Sequence, residues 1–480
     1  MDQSAQASEN RKAYILLSLF IVFLTGLHTS RVNIGPMPLY FVEGLSGILL
    51  VSAFLYFKKR PIPTTSKIIL FPAFFFFFFV VLGEMRGAAS YSFLLPAIYQ
   101  IARFGLGIAM LLVLPRLITH RRHLNTCLKA IVVGVLITGT LSVFSSLPPT
   151  RPIAKLVFSN PILSPTKGGI MEKYNAMRGE DFGIRGTSLA GPATLTGTYL
   201  CTLWPLSLLA YRKLDSFTWK RLALLACILA PFGALVTYSR MSWLGVFLIV
   251  GLFGIFGRSG SRRVVILFVS VIMVIVSFVG LNSRFFYMDR IQNRTKATLE
   301  NPMESGDVME RFLSYTQPFR HLMANPTWLV AGAGSAGGKM AERGSIQSLL
   351  YAQGALATHS AIAMAYYQFG LAGALCHVLL MGFGFVLVLR NVLFTRNKDL
   401  DEKLTWQVLL AVWLGLLPWW LFGHASVSTA RGNMFFFFIF ALFLTFEQMR
   451  VSRGNGEELE DGMKKEELKS EPKMFEGYRV

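Results

Sequence analysis

His359 is the residue whose type and position offer the most chemistry in this 480-residue chain. It closes a polar stretch, residues 282–358, that holds eight Lys/Arg and few apolar runs, and it opens a long apolar one. An imidazole with a reference pKa of about 6.5 is neutral enough at external pH to take a proton from a hydroxyl. The plainer reading, a histidine that anchors a helix start in the headgroup region, stands beside it.

Three arginines could serve such a base. Arg240 lies in Thr237-Tyr238-Ser239-Arg240-Met241-Ser242-Trp243, a few polar residues between two apolar spans. Arg185 lies in Gly183-Ile184-Arg185-Gly186-Thr187-Ser188, where the flanking glycines would let backbone approach a ligand. Arg311 precedes Phe312, Tyr315 and Phe319, whose three- and four-residue spacing predicts an amphipathic surface helix. Guanidinium groups grip phosphate oxygens in pairs, so the chemistry these residues suggest is the handling of a phosphate leaving group. The bland alternatives are an interface arginine beside Tyr238 and Trp243, a loop arginine and a solvated helix face.

Other motifs carry less. The glycines of Ala331-Gly332-Ala333-Gly334-Ser335-Ala336-Gly337-Gly338 could cradle a phosphate, but they lack the Gly-Lys-Ser/Thr pattern and read first as a flexible turn. Asp399-Leu400-Asp401 sits beside Glu402 and Lys403, and Glu300, Glu304, Asp307 and Glu310 share a helical spacing. Both read as solvated charge, so chemistry without metal or other cofactor is expected.

The elements that must position these residues are membrane helices. Of the chain, 53% is hydrophobic and only 15% charged, more apolar surface than a water-soluble domain needs. Continuous apolar runs of about 20 residues match the length of a bilayer-spanning helix. The expected fold is an all-α polytopic membrane domain over residues 1–449. Its twelve spans are 14–33, 36–57, 67–85, 93–115, 127–148, 188–210, 218–237, 240–257, 263–282, 359–389, 404–423 and 432–449. Long segments fall at 149–187 and 282–358. The tail, 450–480, is charged in both signs and is expected to be disordered and cytoplasmic. The first span is too long, and lacks a small-residue cleavage site, to be a removable signal.

With the N-terminus inside, each inner connection carries three or four Lys/Arg, among them Lys58-Lys59-Arg60 and Arg262-Arg263. The short outer ones carry one each, Arg31, Arg86, Arg240 and Arg431. This asymmetry orients both termini to the cytoplasm and both long segments to the outer face of the membrane. The net charge of +21 is therefore partly an inner-leaflet effect. Nucleic acid does not fit the outer basic residues, which no binding motif accompanies, whereas lipid-borne phosphates do. Cys127, Cys201, Cys227 and Cys376 fall in or beside spans with no metal or disulfide spacing and read as packing residues. Glu43, about seven residues into the second span, and Arg103, about ten into the fourth, reach nearly the same depth. They are expected to form a structural ion pair, the alternative being that Arg103 reaches a substrate phosphate.

Taken together the motifs resemble the O-antigen ligase and polymerase superfamily of polytopic glycosyltransferases. His359-Ser360, nine residues, then Gly370-Leu371-Ala372-Gly373 is similar to the family's pattern at the helix after its large periplasmic loop. Ser360 stands where Asn is commoner. Ser239-Arg240 ahead of Gly245, Arg311 ahead of Asn325-Pro326, and Arg185-Gly186 ahead of Pro192 resemble its arginine positions. The likeness covers about residues 180–425. It implies transfer of a glycan from undecaprenyl pyrophosphate to an acceptor hydroxyl, with inversion and without metal or nucleotide sugar. His359 would be the base, and Arg185, Arg240 and Arg311 would hold the pyrophosphate. The implied partners are the lipid-linked glycan donor, a glycolipid or glycan acceptor such as lipid A-core, and the bilayer. The His-Ser pattern favours a ligase; a polymerase that joins lipid-linked repeats and a protein O-oligosaccharyltransferase are the other members of the class. A transporter would need charged residues deep in many spans, and here they are few.

Overall fold

The computed structural model describes residues 3–34, 37–57, 64–91, 94–147, 149–160, 162–163, 185–256, 319, 323, 326–334, 360–395, 400–423 and 432–451. Arg311, His359 and the expected span 263–282 lie outside them. Helix α1 (Gln3–Thr25) leads through a hairpin of β1 (Arg31–Ile34) and β2 (Met37–Tyr40) to α2 (Phe41–Phe57) and α3 (Thr64–Tyr91). Then come α4 (Leu94–Leu117), α5 (Arg121–Ser146), short α6 (Arg151–Phe158), α7 (Ala193–Lys213), α8 (Phe217–Leu235) and α9 (Arg240–Phe256). The chain ends with short α10 (Pro326–Ala331), α11 (Ala361–Phe394), α12 (Leu400–Phe422) and α13 (Gly432–Val451). Most connections are short, so successive helices run antiparallel. Helices α2, α4, α7, α9, α11 and α13 start at one end of the bundle, called here the arginine end because Arg31, Arg185 and Arg240 lie there.

The chain is a helical multi-pass membrane protein. Among the described residues, seven helices are long and apolar enough to cross a bilayer: Ile68–Ala89, Ala97–Leu117, Arg121–Ser146, Phe217–Leu235, Ala361–Phe394, Asp401–Leu421 and Gly432–Val451. Lys12–Thr25, Phe41–Phe54 and Arg240–Ile255 are apolar but shorter. Helix α7 belongs to neither group although 188–210 reads as a span. Its Thr196, Thr198, Thr202 and Ser207 lower its hydropathy, and it lies at the centre, buried from Ala193 to Ala210 except at Thr194 and packed against α5, α8, α9 and α12. A central membrane helix needs small and hydroxyl side chains for close packing rather than a lipid-facing surface. Helix α13 is central too, with Phe435 to Phe438 all buried, whereas Phe71, Phe74 and Phe78 of α3 point outward.

Two sequence expectations need correction here. The first span, read as 14–33, ends as helix at Thr25, and residues 31–34 instead pair antiparallel with 37–40. Pro36 and Pro38 cannot continue a helix, and the hairpin supplies the backbone partners that an irregular return would lack. Glu43 is not seven residues deep but in the first turn of α2. Asp401, read as part of a solvated cluster, is largely exposed and in addition pairs with Lys213 of α7. The four cysteines are unpaired, and three of them lie in the core.

Candidate functional site

The turn between α8 and α9 is four residues long, and Arg240 is the first residue after it. Tyr238 adopts a left-handed φ of 50°, unusual for a bulky residue. Side chains hold the strained turn: Thr237 Oγ1 accepts from the Ser239 N–H at 3.3 Å, and Trp243 Nε1 donates to the Leu235 carbonyl at 2.8 Å. Arg185 reaches the same turn from the segment before α7. Its Nε donates to the Thr237 carbonyl at 2.9 Å and its Nη2 to the Tyr238 carbonyl at 3.4 Å. Next to it, the Gly186 N–H donates to the Val236 carbonyl at 2.8 Å. Arg185 and Arg240, 55 positions apart in sequence, are thus two sides of one turn.

Gly186 serves packing rather than the ligand approach expected from sequence. A Cβ there would lie 2.6 Å from Ser142 Oγ and 2.8 Å from the Ser142 carbonyl of α5. Ser145, also on α5, fixes the following residue: its hydroxyl accepts from the Thr187 N–H at 2.8 Å and donates to the Thr187 carbonyl at 2.9 Å. Around the turn, Thr187 Oγ1, Ser239 Oγ and Ser242 Oγ are buried with no hydrogen-bond partner among the described residues. The helix that follows His359 is equally well defined. Ser360 is its N-cap, with Oγ accepting from the Ala363 N–H at 3.4 Å.

Gly370, the first glycine of the histidine motif, breaks that helix. Its φ is 73°, and a Cβ there would stand 2.0 Å from the Val330 carbonyl. The segment 326–334 seats in this break. Gly332, with φ 76°, packs on the Gln368 carbonyl, Gly334, with φ 67°, packs on the Gly83 carbonyl of α3, and the Ala333 N–H donates to the Tyr367 carbonyl at 2.8 Å. The Gly332 N–H is bonded to the Trp328 carbonyl at 2.6 Å. Residues 332–334 are therefore neither a phosphate cradle nor a loose turn. Their N–H groups at 332 and 333 are occupied, and the missing side chains admit neighbouring backbone. Phe319, the last aromatic of the expected amphipathic helix, sits edge-on to Tyr366, with ring centres 6.2 Å apart.

Arg86 was not singled out by sequence. It holds the return segment through Thr327, donating to both its carbonyl and its hydroxyl, and lies 6.0 Å from the Trp328 ring. Glu84, one residue from Gly83, is fully buried. Only the apolar context of such charges could have flagged them. Glu43 and Arg103 meet, Arg103 Nε lying 2.5 Å from Glu43 Oε1 with side-chain exposures of 11% and 4%.

Residues 225–378 match the family model described as O-antigen ligase. The matched region runs from α8 through the Arg240 turn and the polar stretch to the broken first part of α11. The match agrees with the resemblance that the motifs at Arg240, Arg311 and His359 carry, and the Arg185 motif lies ahead of it. No curated protein matches the chain.

Proposed function

Because the chain carries an O-antigen ligase region, we propose that it is a membrane glycosyltransferase of that type. It moves a glycan from undecaprenyl pyrophosphate to a hydroxyl of an acceptor sugar, lipid A-core in the ligase reading. The observation that carries this is the joining of Arg185 to the Arg240 turn, inside or beside the matched region. Two guanidinium groups fixed to one turn suit the two phosphates of the donor. The turn opens α9, whose N-terminal dipole adds to the attraction for an anion.

In the proposed reaction His359 takes the proton from the acceptor hydroxyl. The oxygen then attacks the anomeric carbon from the face opposite the pyrophosphate. The carbon–oxygen bond to pyrophosphate breaks, and undecaprenyl pyrophosphate leaves with both electrons of that bond. Arg185, Arg240 and Arg311 stabilise the charge that grows on it, the kind of interaction that is stronger in the transition state than in the ground state. Arg311 is assigned by resemblance, supported by the landing of Phe319 on Tyr366 of α11. No metal or nucleotide sugar is needed, since pyrophosphate is a good leaving group. The site faces the periplasm, and both termini are cytoplasmic. Charge asymmetry between the connections supports this orientation.

The test is transfer by purified protein in nanodiscs supplied with lipid-linked glycan and either of two acceptors. Product on lipid A-core, resolved on a gel, identifies a ligase. Lengthening of the lipid-linked glycan itself identifies a polymerase. No product with either acceptor overturns the reading.

A further inference from the structure

A second basic group lies at the arginine end, on the hairpin and α4 rather than on the α8–α9 turn. The β-hairpin sets Arg31 opposite Tyr40. Arg31 Nη1 donates to the Tyr40 hydroxyl at 3.0 Å, and its guanidinium carbon lies 5.6 Å from the ring centre. Arg103 comes from α4 to the same ring, at 5.2 Å, and also stands 4.7 Å from the Tyr99 ring. Two cations therefore share one tyrosine.

Their charge is only half balanced. Glu43 is the one described carboxylate in ion-pair contact with either arginine, and it touches only Arg103, through Nε. Its oxygens are already shared among Arg103 Nε at 2.5 Å, the Tyr99 hydroxyl at 3.1 Å and the Tyr40 N–H at 3.3 Å. Among the described residues, none accepts from the two terminal nitrogens of Arg103, and Arg31 Nε is buried without a partner. A half-buried guanidinium with no counter-charge among the described residues is costly to keep beside a bilayer, and an anion bound there would offset that cost.

The surroundings say what carries the anion. Val32, Leu39 and Phe41 of the hairpin and the start of α2 are exposed apolar side chains. They suit lipid tails, and the two arginines, with their forked donors, suit phosphate oxygens. The hairpin is also tied to the loop after Arg185, the Thr29 N–H donating to the Leu189 carbonyl at 2.8 Å. We infer that Arg31 and Arg103, flanked by Tyr40 and Tyr99, form a second anion site that takes the phosphate of a membrane-borne lipid. The inference rests on these contacts and not on the transfer reaction. Within the proposed reaction, the site would hold a phosphate of the acceptor lipid while Arg185 and Arg240 hold the donor.

The test is native mass spectrometry of the full chain in detergent, titrated with dodecyl phosphate. Arg31→Gln leaves the Glu43–Arg103 pair intact. It should weaken one class of bound alkyl phosphate about tenfold to a hundredfold, the worth of hydrogen bonds to a charged group. Arg103→Lys keeps the charge beside Glu43 but removes the fork, and should weaken the same class with an unchanged melting temperature. Arg240→Gln should weaken a different class, which separates failure of this site from failure of the donor site. Competition identifies the source: displacement by phosphatidylglycerol points to a headgroup, displacement only by an isoprenoid phosphate points to a substrate lipid. Unaltered binding by both Arg31→Gln and Arg103→Lys overturns the inference, as does equal competition by inorganic phosphate, which would show a site indifferent to the lipid.

Discussion

The two ends of the bundle hold their cations by different means. At the end opposite the site, carboxylates do it. Glu447, buried on α13, accepts from Arg390 at 2.7 Å and from Arg450 at 3.0 Å, with Asn391 Nδ2 at 2.8 Å, and Asp401 takes Lys213. At the arginine end, among the contacts of the described residues, backbone carbonyl groups hold Arg185, and a carbonyl with a hydroxyl holds Arg86. A carboxylate fixes a guanidinium and cancels its charge, while a carbonyl fixes it and leaves the charge in place. The first arrangement suits a structural joint and the second a receptor for anions. Glu43 with Arg103 is the intermediate case, a pair beside which Arg31 shares the Tyr40 ring with Arg103.

The contrast breaks most visibly if the arginine end proves merely structural. His359→Ala should lower transfer by roughly 10²–10⁴, the usual worth of a general base, with the melting temperature unchanged. Arg240→Lys should fall in the same direction, because an ammonium cannot make the forked contact. Near-normal product from either folded variant would leave the turn without a catalytic role.

Gly370→Ala separates position from charge. The new Cβ would collide with the Val330 carbonyl in a left-handed conformation, at a cost of about 2–4 kcal/mol. The expected result is a lower melting temperature together with lower activity, since the return segment of the loop could no longer seat. Wild-type stability in this variant would mean that the kink is not required.

The intermediate pair invites a double-mutant cycle. Glu43→Gln and Arg103→Gln should each lower the yield of folded protein, and the double variant should recover part of the loss, with a coupling of about 1–3 kcal/mol. If Arg103→Gln instead folds normally but loses transfer, the pair is not a structural joint and Arg103 belongs to the reaction.

The smallest effect is expected at the opposite end. Asp401 is largely exposed, so Lys213→Gln should change stability by less than about 1 kcal/mol and leave transfer untouched. A large loss of activity in a thermal and transfer assay of this variant would contradict the division of roles between the ends.

Much of the architecture was legible because it is local. Twenty apolar residues in a row predict a membrane helix whatever their neighbours are, whereas the cap at Ser360 and the break at Gly370, read in the sequence only as parts of a motif, emerged in the structure. The hairpin was hidden by its apolar residues, since hydropathy does not tell a short apolar strand from a helix end. Helix α7 misled in another way, its hydroxyl residues belonging to a centre that only packing creates. The charges show the same limit. Sequence by itself determined that Arg185, Arg240, Glu43 and Arg103 lie in or beside membrane helices, where charges are costly and need partners. Only the tertiary structure decided that Arg185 would lean on the Arg240 turn, that segment 326–334 would enter the break at Gly370, and that Arg31 would share Tyr40 with Arg103. Each of these joins residues far apart along the chain, and hydropathy and short motifs carry no information about which helix end folds back against which.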